Sequence, residues 1–420
     1  MKSAILCATL IIFSGGLAFG QTYKVLWNFA SSTTDGWSPS SNLISDGVGN
    51  LYGVTLFGGT FNEGSVYELS PNSDGSWSEA VLYSFCTDYP NCTDGRGPVG
   101  GLVFDSLGNL YGTTFQGGNS CSQSPYGCGV VFELSPPTLR GGAWTYMNLH
   151  MFCSVSACQD GAVSYAPLAL DSAGNIYGTA EQGGTQNSGV VYELLPSSGG
   201  WSETVLYSFC SQGNGYICPD GAGPQTGVSF DNSGNMYGDT VTGGSAQERG
   251  GGVLYKLSFV SGAWTEAVIR AFNAPKGGYG PSGPVTIDSQ GNLYIALFFG
   301  GYVNGASGKG VIKRLDFNGS TREFVFDGAN GEGPSGVQLG TRRPLAYGIT
   351  SFPLKSYNGN VYQISVTGKE TILHTFCESP GCLDGQYPQG GLYEDSDGNL
   401  YGTASSGGTH GLGVAFEITP

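Results

Sequence analysis

Apolar residues along this chain come in short runs broken by Gly, Pro, Asn and Ser, and no stretch sustains a 3.6-residue period. One segment shows the pattern clearly. Gly101-Leu102-Val103-Phe104 forms a first run, Asp105 to Asn109 a turn, and Leu110-Tyr111-Gly112-Thr113-Thr114 a second run that closes at Gly117-Gly118. Val130 to Leu134 is the third, ended by Pro136, and Trp144 to Phe152 the fourth. Each run is rich in β-branched and aromatic residues, which fit a pleated surface, so the pattern predicts four strands, A to D.

The same phrase returns along the chain. Asp105 to Gly112 recurs as Asp46 to Gly53, Asp171 to Gly178, Asp231 to Gly238 and Asp395 to Gly402; Asp288 to Ile295 departs only at its last residue, and Leu345 to Gly348 keeps only Tyr-Gly. These are seven copies, about 58 residues apart on average. In the turn, the Asp carboxylate accepts backbone N–H groups and the Gly takes the positive-φ position that returns the chain. Seven sets of four antiparallel strands, apolar on both faces, predict an all-β seven-bladed β-propeller. The copies fill residues 21–420 as one domain. Tyr23 to Phe29 reads as a strand D with no A, B or C before it, and Val414 to Ile418 as a strand C with no D after it. The N-terminal strand is therefore expected to complete the last blade, a 3+1 closure, with Phe29 near Phe416.

Repeats of the form GNLYGTT…GG…GVVFELSP…ETVLYSFC…DG resemble the GloVer tandem repeat of exported bacterial choice-of-anchor proteins, over nearly all of the chain after residue 20. The Asp-x-x-Gly-Asn-Leu-Tyr phrase is also similar to NHL-type propellers. The resemblance implies the fold; it carries over no catalytic residue.

Composition and charge narrow the function. Charged residues are 11% and aromatics 12%, which excludes a disordered chain. Lys+Arg 16 against Asp+Glu 32 leaves −16, so nucleic acid is not an expected partner. Lys2, the apolar run Ser3 to Phe13 and Ala18-Phe19-Gly20 read as a signal peptide cleaved before Gln21, too short to span a membrane. The remaining ten cysteines fall into close pairs: Cys86 with Cys92, Cys121 with Cys128, Cys153 with Cys158, Cys210 with Cys218, and Cys377 with Cys382. With an export signal, local pairing favours disulfides over zinc. The expectation is a secreted or periplasmic monomer without membrane insertion.

Four of these pairs follow a strand D and one lies between B and C, which puts all five on the face carrying the D–A and B–C loops. That face also carries a repeated Asp-Gly before strand A, with Asp35, Asp94, Asp160, Asp220 and Asp384. These carboxylates have two readings, a cation- or polyol-binding rim converging on the channel mouth, or turn residues bonded to their own backbone. Loop aromatics that differ between repeats are candidate ligand stackers: Trp37, Tyr126, Tyr165, Tyr216, Tyr279 and Tyr387. His410, in the last B–C loop, is placed facing the channel mouth. No cofactor is required, a divalent cation such as calcium is admitted, and no catalytic residue is assigned. The expected role is binding or scaffolding of an extracellular glycan or protein; the alternative is a channel-site enzyme of lactonase, glycosidase or lyase type.

Overall fold

The computed structural model describes residues 21–139, 141–213, 217–244, 250–272, 277–303, 305–328, 331–342, 345–352 and 358–420. The expected signal peptide and Tyr216 lie outside the described residues. Seven antiparallel sheets follow one another and close into a seven-bladed β-propeller. In blade 2 the strands are Leu110–Gln116 (B), Val130–Ser135 (C) and Thr145–Met151 (D). Strand A is broken rather than continuous: Arg96–Pro98 and Val103–Phe104 both pair with B, and Gly101 turns the chain at positive φ between them.

The closure takes the expected form with a different register. Thr22–Asn28 pairs antiparallel with Val414–Thr419 as the fourth strand of blade 7. Val25, not Phe29, stands opposite Phe416. Phe29 lies past the strand end, where its N–H donates to the Gly413 carbonyl at 3.0 Å.

The Asp-x-x-Gly-Asn turn behaves as its chemistry requires. Asp105 Oδ1 accepts the N–H groups of Leu107 and Asn109, both at 2.8 Å, while Oδ2 accepts Asn109 Nδ2 and the Tyr111 hydroxyl. Burial works against the charged carboxylate, but these donors outweigh it and hold Asp105 below the ordinary range. The Gly of Leu-Tyr-Gly has a different reason. It faces an aromatic ring of strand C: Gly53 opposite Tyr67, Gly112 opposite Phe132, Gly178 opposite Tyr192, Gly238 opposite Tyr255, Gly348 opposite Tyr362 and Gly402 opposite Phe416. A Cβ on Gly178 would sit 2.3 Å from the Tyr192 hydroxyl oxygen. Blade 5 alone breaks the pairing: Ile295 stands opposite Lys313.

Adjacent blades meet at seven seams. At each, one N–H of strand A or its approach donates to the preceding blade: Ser38 to Leu412, Gly97 to Glu63, Val163 to Cys128, Gly223 to Ser188, Gly280 to Gly251, Gly333 to Lys309 and Tyr387 to Asn358, all at 2.8–3.1 Å. At six seams the Phe after strand D then packs edge-on against the facing ring of the next blade. Phe85 on Phe132 and Phe209 on Tyr255 are examples, at 5.1 and 5.0 Å. Such contacts add about 1 kcal/mol each beyond area burial. At seam 4/5 the ring is replaced by Lys313, and Phe272 has no aromatic partner there among the described residues.

Candidate functional site

The five Asp-Gly aspartates do not form a rim. All are buried, at 0–8% exposure, and none lines the channel. Each is spent on its own D–A loop. Asp94 accepts the N–H groups of Cys86 and Thr87, the Thr87 hydroxyl and the Tyr83 hydroxyl. Asp220 accepts Ser211 N–H at 2.9 Å, the Ser211 hydroxyl and the Tyr207 hydroxyl at 2.8 Å. Asp160 accepts Ser154 and has His150 Nε2 at 3.3 Å; Asp384 has His374 Nε2 at 3.1 Å; Asp35 accepts Ser31. The position beside the aspartate on strand D carries a donor, Trp27, Tyr83, His150, Tyr207 or His374, wherever the aspartate is present. At seams 4/5 and 5/6, where the sequence has Gly277 and Asn330 instead, that position holds Arg270 and Phe324. The aspartates are latches of the ring. They miss the channel mouth because they sit at the outer strand.

All five cystines are formed with the expected partners: Cys86 to Cys92, Cys121 to Cys128, Cys153 to Cys158, Cys210 to Cys218 and Cys377 to Cys382. None of these cysteines lines the channel or its side groove, so their role is to hold loops and not to touch a ligand there. In the four D–A loops the second cysteine also anchors the backbone. The carbonyls of Cys92, Cys158, Cys218 and Cys382 each accept two glycine N–H groups, at 2.9–3.0 Å. One comes from the Asp-Gly turn (Gly95, Gly161, Gly221, Gly385) and one from the Gly-Gly pair that ends strand B (Gly118, Gly184, Gly244, Gly408). Each such cystine thus ties its D–A loop to the end of strand B in the following blade. Cys153 Sγ lies within 4.8 Å of both sulfurs of Cys121 and Cys128, so the B–C cystine stands beside a D–A cystine as expected of a common face. This sulfur group is the one cluster of three potential metal ligands among the described residues, and its thiols are consumed in disulfides.

The aromatic candidates part company. Trp37 stacks on Phe57 at 4.5 Å and donates its indole N–H to Asn62. Tyr126 is exposed under the Arg96 guanidinium, 4.8 Å away. Tyr387 lies in strand A of blade 7 at φ 57°, making its seam bond. His410 is not at the channel mouth: it lines a crevice with Trp27, Trp77 and Lys24 between the outer strands of blades 7 and 1.

Tyr165 and Tyr279 alone come to a common cavity system. The central channel, about 390 Å³, is walled by residues of strand A and of its break, including Tyr165, Asn42, Gln225, Thr226, Ser282 and Gln338, and none of the described residues that line it is charged. A groove of about 730 Å³ at seam 4/5 shares Gln225, Pro281 and Ser282 with the channel, so the two adjoin. Tyr279, stacked on Phe299 at 5.2 Å, and Phe298 form the groove's aromatic wall.

Two acids stand near this system that sequence reasoning did not single out. Glu181 accepts Gln225 Nε2 at 2.8 Å and adds to the burial that raises the Tyr165 phenol. Asp239, wholly buried, accepts the hydroxyl of channel-lining Thr226, and its Oδ2 has no partner. Burial pushes Asp239 up to about 8, so it is neutral at neutral pH. Its places in the other blades hold Val54, Thr113, Thr179, Ala296, Ile349 and Thr403, and that single departure was the available signal. Phe298 and Phe299 carried a similar one, in a strand B reading Leu-Tyr-Ile-Ala-Leu-Phe-Phe.

Solved structures share the architecture at low identity. A polysaccharide lyase, Uly1, is 12% identical, with 93% of this chain and 91% of that chain covered at a TM-score of 0.52. A protein described as a putative 6-phosphogluconolactonase from Bacteroides uniformis is 14% identical, with 82% and 86% covered at 0.48. At these identities the likeness is one of fold. No curated protein matches the sequence. The repeat itself is recognised: a family model matches residues 12–248, 120–304 and 224–420, and the chain belongs to the Gloeobacter/Verrucomicrobia repeat family.

Proposed function

We propose that this protein is an exported, non-catalytic binding propeller that holds a neutral glycan in the seam 4/5 groove and the adjoining channel. The observation that carries the reading is the stacked Tyr279–Phe299 wall on a groove with no charged lining among the described residues, beside a channel lined by amides and hydroxyls. Sugar rings offer C–H faces to aromatic surfaces and hydroxyls to such neutral polar groups. A net charge of −16 disfavours polyanionic glycans. Export is supported by the residue 1–20 pattern and by five cystines, which persist in oxidising compartments. A non-catalytic role is favoured by the single-sign chemistry beside the channel: Glu181 and Asp239 have no cation assembled with them among the described channel-lining residues.

Affinity electrophoresis in gels containing neutral or acidic polysaccharides tests this. Retardation by a neutral polysaccharide, weakened at least tenfold in Tyr279→Ala/Phe299→Ala with an unchanged melting temperature, is expected. Phe299 is 49% exposed, so its truncation leaves the core intact. No retardation by any neutral polysaccharide, or stronger retardation by acidic ones, contradicts the reading; retention of protein partners instead points to a scaffold.

A further inference from the structure

The latch aspartates face a second group across the seam. At the strand D position opposite Leu69, Leu134, Leu194, Leu257 and Ile418, the chain has Glu79, Tyr146, Glu203, Glu266 and Tyr23. Each belongs to the blade that follows the latch loop. The tyrosines show where this position reaches: Tyr146 Oη donates to the Asp94 carbonyl at 2.7 Å, and Tyr23 Oη donates to the Asp384 carbonyl. In the other three seams a carboxyl group takes the tyrosine's place beside a buried aspartate.

At seams 7/1 and 3/4 both acids have an oxygen that is shut off from solvent and lacks a donor: Asp35 Oδ1 with Glu79 Oε1, and Asp220 Oδ1 with Glu266 Oε1. Glu203 Oε1, at seam 2/3, is in the same condition. A buried aspartate and a half-buried glutamate side by side repel, and at seams 7/1 and 3/4 each leaves an acceptor unmatched. One proton removes both difficulties, because a protonated carboxyl is a donor.

We propose that seams 7/1, 2/3 and 3/4 are each closed by a proton on the strand D glutamate, shared with the latch aspartate, so that the ring is tightest in mildly acidic surroundings and loosens as these protons leave. The titratable groups around each pair fit this. Glu79 faces Asp35 and the Tyr67 phenol; Glu266 faces Asp220, the phenols of Tyr207 and Tyr255, and the amide of Gln212; Glu203 faces Asp160, His150 and the Tyr192 phenol. Burial, then the aspartate, pushes Glu79 up to about 8 and Glu266 up to about 7. Glu203 is likewise raised by burial to about 7, with His150 lowering and Asp160 raising it.

The linkage follows from these directions. The folded chain holds protons that the unfolded chain releases above its ordinary glutamate range, so stability falls as pH rises through about 5 to 8. Asp239 contributes a fall of the same sign, so the wild-type profile alone does not isolate the pairs. The test is thermal melting of the mature chain at pH 5.5 and 8.5, for wild type and Glu79→Gln/Glu203→Gln/Glu266→Gln, whose amides donate at every pH. The wild type is expected to melt lower at pH 8.5, and the triple variant to show at most half that drop. In a second readout at pH 6, the infrared band of protonated carboxyl groups weakens in the triple variant, leaving the part due to Asp239. A wild type that melts as high or higher at pH 8.5, a triple variant with the full drop, or an unchanged band overturns the proposal.

Discussion

Seams 3/4 and 4/5 share a backbone plan and differ in everything built upon it. Both carry the interblade N–H bond, from Gly223 to Ser188 and from Gly280 to Gly251, each at 2.9 Å. Seam 3/4 then adds a buried aspartate, an aromatic contact between Phe209 and Tyr255, and a cystine between Cys210 and Cys218. Seam 4/5 has Gly277 for the aspartate, Lys313 for the ring and no cystine, and it is where the groove lies. The difference teaches where a repeat protein has room for function. Six seams repeat the aromatic contact because blade packing demands it; seam 4/5 lacks that contact, the latch and the cystine together, and carries its own aromatic wall.

The largest expected effect comes from breaking a latch. Asp220→Ala at pH 6 removes the common acceptor of the Ser211 N–H, the Ser211 hydroxyl and the Tyr207 hydroxyl, which costs about 3 kcal/mol in denaturant unfolding. Gly277→Ala, at the matching place of seam 4/5, is expected to change stability by less than about 0.5 kcal/mol.

Next comes the cross-strand ring. Gly178→Ala forces the Tyr192 ring to move and costs about 2 kcal/mol by the same measurement. Asp239→Thr, which restores the residue of three other blades, acts in the opposite direction. Because Asp239 keeps its proton in the folded chain up to about pH 8, its stability is lost as pH climbs toward that value. The gain from Thr therefore grows between pH 4 and 8 and is about 2 kcal/mol at pH 7.5. A gain that shrinks with rising pH would refute the assignment.

The smallest effect sharpens the comparison most. Ile295→Gly and Lys313→Tyr each destabilise alone, since one opens a cavity and the other meets a buried Ile. Together they rebuild the Gly–ring pair of the other blades. A double-mutant cycle is expected to give favourable coupling of about 1 kcal/mol.

Much of this architecture could be read from residues alone. The orphan strands at Tyr23 and Val414 implied a closed ring, because each lacks the partner the repeat supplies elsewhere. The cysteine pairs were legible from spacing, but the second task of Cys92, Cys158, Cys218 and Cys382, accepting glycine N–H groups from two loops, is a backbone role that no side chain announces. The closure register was missed because Phe29 is the Phe after strand D, which lies past the strand end and packs on Tyr67 of the next blade, while Asn28 already stands opposite Val414. Asp-Gly read correctly as a turn pair among its two readings. Its partners across the seam, such as Glu266 for Asp220, were hidden because blade contacts join residues some fifty apart in a pattern without local periodicity. The covariation of Trp27, Tyr83, His150, Tyr207 and His374 with the aspartates is present in the sequence. In the candidate site, Tyr165 and Tyr279 stood out as loop irregularities, whereas Phe298, Phe299 and Asp239 sat inside strands and looked like core.

The central claim is that ligand binding belongs to the seam that lacks the aromatic contact of the other six. Affinity electrophoresis against a neutral polysaccharide that retards the wild type, run beside Tyr279→Ala/Phe299→Ala and Trp37→Ala, tests it most directly. The account predicts that retardation is lost in the double variant and kept in Trp37→Ala, whose stacked pair with Phe57 lies at blade 1. Retardation kept in the double variant and lost in Trp37→Ala would contradict it.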